Sequence, residues 1–178
     1  MRAFIRFLFS IALFGLVFLA HIAVRYIFSL PLGTVNVTLA ALSIMVIFAG
    51  RGSVVWASFF IHFLLELWSS IPFGIVLFSG TMSVLLTYWL FHFVLTNRSW
   101  YLTLAVTAFC VLLYRALFLF ALLGSALTRE GEFRSLDSAW LLYGWEIVTT
   151  SALVHIVYGG VEAWRRLLHP RRTITWTV

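Results

Sequence analysis

Arg51 to Gly74 reads RGSVVWASFFIHFLLELWSSIPFG. A basic-Gly start leads into an apolar run, with Trp56 and Trp68 near its two ends. Glu66 lies inside the run, and Ser-Ser-Ile-Pro-Phe-Gly closes it. Such a run predicts a helix that Pro72 stops, because proline cannot donate to the helical ladder. A carboxylate inside a lipid-buried helix costs about 2.5–3.5 kcal/mol even on insertion scales, so Glu66 needs a reason to be there. It follows His62 by four residues, which places both on one helix face.

The rest of the chain has the same character. Of 178 residues, 63% are hydrophobic and only 10% charged, whereas soluble domains carry about a quarter charged residues. This composition predicts an all-α polytopic membrane protein. All twelve basic residues are arginine, and most stand at segment ends. The formal charge of +6 therefore reads as a set of topology determinants rather than a nucleic-acid surface. Cys110 is alone in an apolar run, which excludes a disulfide framework and a CxxC motif.

Six helical segments are expected, at about 3–29, 34–49, 53–69, 73–95, 100–127 and 138–163. They form a single compact transmembrane domain over residues 1–163, followed by a short basic cytoplasmic tail, 164–178. The first run continues past His21 to Ile27 and so reads as a transmembrane helix, longer than a signal-peptide core of about 7–15 residues. The second and third segments are short, so a shallow hairpin is an alternative there. Thr96–Ser99 forms a tight turn, and a charged loop spans Thr128–Asp137.

Placing both termini in the cytoplasm puts Arg2, Arg6, Arg51, Arg98, Arg165, Arg166, Arg171 and Arg172 on the inner side. Only the loop arginines Arg129 and Arg134 fall outside, among Glu130, Glu132 and Asp137. The reverse orientation contradicts the positive-inside rule.

Four charges fall within the helices: Arg25, Glu66, Arg115 and Glu146. With that topology all lie in the outer half or near the middle. Two acids and two bases can neutralise one another. Three readings stay open: buried pairs that fix helix register, a polar pocket open to the outer face, and an Arg25 that snorkels to the interface. Arg25 and Arg115 are the candidate counter-charges for Glu66. His21 shares a helix face with Arg25, as His62 does with Glu66. HExxH is absent and no third ligand is evident, so no metal or cofactor is expected. No serine sits in a GxSxG elbow, so serines and glycines, Gly159-Gly160 among them, are expected to let helices approach or to form a contact surface.

The run from about Val35 to Arg98 resembles the central part of the MreD family, small inner-membrane proteins of bacterial cell-wall elongation. Arg51 and Gly52 match its short basic-Gly turn. Glu66, Leu67, Ser69, Ser70, Pro72 and Gly74 match an acidic residue followed by a Ser/Gly-Pro-x-Gly turn. The acid is Glu66 where Asp is commoner, and Ser70 stands where Gly is usual. The resemblance implies a six-helix fold similar to the substrate-binding S-components of energy-coupling-factor transporters. It also implies a non-enzymatic subunit in the bacterial cytoplasmic membrane, surrounded by lipid and joined to an MreC-like partner and cell-wall synthase components. The alternative is an S-component-like protein that binds a vitamin or another small molecule in a pocket facing outward.

Overall fold

A computed structural model describes residues 2–49, 52–94, 100–128 and 139–168; of residues 2–11, 49, 100, 126–128, 139 and 166 it describes the backbone alone. The elements are α1 (Arg2–Ile27), a short 3-10 turn (Leu32–Thr34), α2 (Val37–Ala49), α3 (Ser53–Leu67), α4 (Ile75–Phe93), α5 (Trp100–Thr128) and α6 (Ala139–Leu168). The described residues are thus all-helical, as the composition predicts. Arg51, the Thr96–Ser99 turn, the charged loop after Thr128 and the tail beyond Leu168 lie outside the described residues.

The boundaries shift for local reasons. Thr34 belongs to the 3-10 turn rather than to α2, and its hydroxyl donates to the Pro31 carbonyl at 2.6 Å. Asn36 then caps α2: its side-chain oxygen accepts the Leu39 N–H at 3.1 Å, which satisfies one of the orphan donors of the first turn. At the far end α6 runs on to Leu168, past the expected stop at residue 163.

Among the described residues, three segments are long and apolar enough to cross a membrane: Ile75–Phe93, Tyr101–Ser125 and Trp140–Arg165. At 1.5 Å per residue, α2 with 13 residues spans about 20 Å and α3 with 15 about 22 Å, against a hydrocarbon core of about 30 Å. Length and composition alone therefore do not establish six spans.

The short α2 occupies the centre and packs against all five other helices. Its Leu39, Leu42 and Val46 are fully buried, together with Thr38 and Ser43. A helix apolar all round is one with no exposed face to supply. Leucine, isoleucine, phenylalanine and tryptophan instead crowd the outer surface, at Leu16, Leu19, Phe60, Trp89, Phe120, Trp145 and Ile156. Small polar residues line the helix contacts. Ser79, Ser83, Thr87 and Thr107 are buried and turn their hydroxyls back to carbonyls of their own helices, at 2.7–2.9 Å.

Gly80 and His62 show how close this packing is. A Cβ at Gly80 would overlap the His62 ring, so α3 and α4 touch where a side chain is missing. Gly159 and Gly160 are different. Nothing lies within 4 Å of where their Cβ atoms would stand, so they make no notch for another helix of this chain.

Gly80→Ala is expected to destabilise the bundle by about 1–3 kcal/mol, since the buried His62 ring has nowhere to go. Thermal unfolding in detergent checks this, and His62→Ala in the same chain should relieve the clash.

Candidate functional site

The polar groups gather at the end of the bundle where α1, α3 and α5 finish and α2, α4 and α6 begin. Glu66, His62, Glu146 and His21 are all buried there. Two arrangements account for the carboxylates.

Glu66 does not meet an arginine. Its two oxygens accept the backbone N–H groups of Gly74 at 3.0 Å and of Leu77 at 2.5 Å, the first turn of α4. Gly74 is the N-cap residue and has no side chain of its own to do this. Its φ of 101° lies in the left-handed region, which explains glycine after Pro72-Phe73. A carboxylate one helix away therefore does the capping, and its negative charge faces the positive end of the α4 dipole. Ser69 completes the junction by accepting the Ile71 N–H at 3.1 Å. The expectation of an arginine partner fails because it matched side chain to side chain. Backbone donors at a helix start satisfy a carboxylate equally well. Gly52 begins α3 differently, in the right-handed region, with its carbonyl accepting from Val55 N–H at 3.1 Å.

Glu146 takes the arginine instead. Arg115 donates from both Nε and Nη2 to Glu146 Oε2. Asn36 Nδ2 donates to the other oxygen at 3.0 Å, and the Asn36 N–H donates to Thr150 at 3.0 Å. The Arg115 guanidinium also lies over the rings of Tyr143, Tyr114 and Phe118, at 4.7, 5.2 and 5.8 Å. One carboxylate thus ties α6 to α5 and to the cap of α2. Asn36 was not singled out in the sequence, although an Asn immediately before an apolar helix is a start signal.

The histidines differ from each other. His62 Nδ1 lies 2.8 Å from the Ser58 carbonyl. That bond requires the proton on Nδ1, which leaves Nε2 as an acceptor. His21 Nδ1 is buried with no hydrogen-bond partner. No group of three or more His, Cys, Asp or Glu side chains able to hold a metal ion occurs among the described residues.

A partly open cavity of about 370 Å³ lies at this end, lined by His21, Arg25, His62 and Arg115 together with the turn after α3. A second, of about 360 Å³, adjoins it beside Glu146 and shares Arg25 and Arg115. Arg25, Arg115, Glu146 and both histidines therefore belong to one neighbourhood, while Glu66 is occupied by the turn.

No protein-family model matches this chain, and neither a curated protein nor a solved structure does.

Glu146→Leu is expected to cost about 3–5 kcal/mol, because it strands the Arg115 charge. Arg115→Met added to it should recover most of the loss, as read by thermal unfolding. Glu66→Gln keeps one acceptor and loses the charge, with an expected loss of about 1 kcal/mol at the α4 cap.

Proposed function

We propose that the chain is a non-enzymatic, multi-pass subunit of the bacterial cytoplasmic membrane, MreD-like in role, within the cell-wall elongation machinery. The observation that carries this reading is the Glu66–Gly74 junction. Glu66, Ser69, Pro72 and Gly74, residues on which the resemblance rests, meet in one capped turn between α3 and α4. Residues that build a turn are scaffold, and a scaffold motif fits a subunit that works by holding partners.

In this reading all six helices cross the membrane, with α2 reaching less far because the others enclose it. The cavity end faces outward. The other end, where Arg165 stacks on Phe48 at 5.0 Å, faces the cytoplasm. The apolar outer surface suits lipid, and the partners are an MreC-like protein and wall synthase components.

Two measurements test this. Tagged protein crosslinked in its host membrane should co-purify an MreC-like protein or a wall synthase, and depletion should alter cell shape. Isolation with neither partner, or depletion with normal shape, overturns the reading. For topology, Ser70→Cys should react with an impermeant maleimide applied outside, and Asn97→Cys should not. Cys110 is buried and should stay silent in both.

A further inference from the structure

His21 and Arg25 stand one turn apart on a single face of α1. Neither takes part in the Glu66 or Glu146 networks that join the helices. Arg25 has no carboxylate within ion-pairing distance among the described residues, since the one such pair there joins Arg115 to Glu146. His21 is 7% exposed, and its Nδ1 has no partner. His21 also lines the cavity, beside Arg25 and Arg115, so three polar side chains converge on one space.

The cavity has a definite shape and charge. It separates α1 from α5, which make no close backbone contact with each other among the described residues. Arg25 and Arg115 both line it, and among the described residues no carboxylate does. Glu146 borders the adjoining space, and its two oxygens are committed to Arg115 and Asn36. The carboxylate neutralises Arg115, which leaves Arg25 as the uncompensated charge. Arg115 still has donors to offer, because only Nε and Nη2 are engaged. Beyond the cations the walls turn apolar, with Ile22, Leu65 and Phe118. A volume of about 370 Å³ is within the range of small-molecule sites.

From this we infer that the cavity is a binding site for a singly charged organophosphate with an apolar substituent. Its phosphate sits between Arg25 and Arg115, where guanidinium forks match phosphate oxygens, with the His21 ring beside them on the cavity wall. Its substituent lies along Ile22, Leu65 and Phe118. One net positive charge selects a monoanion such as a phosphodiester. That chemistry has two sources, a membrane phospholipid or a water-soluble phosphodiester. The site does not depend on which assembly the chain joins, so it stands or falls apart from the MreD-like reading.

The test uses the full chain in detergent, with phosphatidylglycerol, phosphatidylcholine and the soluble diester dibutyl phosphate as probes. Native mass spectrometry counts bound molecules, and thermal shift gives affinity. Phosphatidylglycerol should bind saturably, one per chain, and more tightly than phosphatidylcholine, whose choline would meet the arginines. Arg25→Gln should weaken it about tenfold or more, the scale of losing one partner of a hydrogen-bonded charge pair. His21→Leu should weaken it as well. Arg165→Gln, at the opposite end of the bundle, should leave affinity unchanged. Binding of dibutyl phosphate with the same Arg25 dependence assigns a soluble ligand, and binding of the lipid alone assigns a lipid. Equal affinity for the two lipids, wild-type affinity in Arg25→Gln, or no binding by any probe overturns the inference. Because the Arg25 side chain is exposed and unpaired, Arg25→Gln should fold, and elution of the variant as wild type on size exclusion verifies it. Should His21→Leu fail to fold, Arg25→Gln decides alone. An Arg25 that only snorkels to the interface would leave phosphatidylglycerol affinity untouched.

Discussion

Glu146 organises this bundle. A buried carboxylate in an apolar interior is tolerable only where both oxygens are met. Arg115 meets one and Asn36 the other, so α5 and the entry to α2 are held to α6 by a single group. Asn36 then passes the constraint on, because the same side chain caps α2 through Leu39. The central helix therefore begins at a point set by a residue 110 positions further along the chain. Packing around α2 provides area, and the Glu146 network provides register.

The two acids illustrate two solutions to one problem. Glu146 uses side-chain partners and joins distant helices. Glu66 uses backbone donors and joins neighbours, across the turn to α4. Neither carboxylate is left for chemistry of its own. What remains uncommitted at that end of the bundle is cationic or neutral: Arg25, the spare donors of Arg115, the Nε2 of His62 and the Nδ1 of His21. The electrostatics of the cavities follow from this division, with the acids spent on structure and the bases facing the open space.

Much of the architecture was legible in the sequence. Pro31, Gly52 and Pro72 punctuate apolar runs, and the helices lie between them. The balance of two acids and two bases suggested mutual neutralisation, and among the described residues one such pair forms, Arg115 with Glu146. Which partners they find was not legible. Glu66 was assigned an arginine because backbone N–H groups carry no letter in a sequence, though Pro72-Phe73-Gly74 signalled a helix start that needed a cap. The central place of α2 was hidden for another reason. In a chain this apolar, a face toward lipid and a face toward protein look alike, so periodicity carries little information. The Ser and Thr content of α2 and α4 was the better guide, since small hydroxyls mark close helix contacts. His62 and Gly80 meet for that reason, and no spacing rule connects residues 18 apart on two helices.

The long reach of Asn36 to Glu146 has a consequence for biogenesis. A membrane protein is threaded into the bilayer in order, N-terminus first. When α2 arrives, neither the carboxylate that receives its cap residue nor four of the five helices that enclose it exist yet. A 13-residue helix is a weak candidate to remain in lipid alone. On the proposed six-span topology, the centre of this fold is sheltered by α1 and α3, or by insertion machinery, until α6 emerges and closes the bundle. The last helix made completes the site of one of the first.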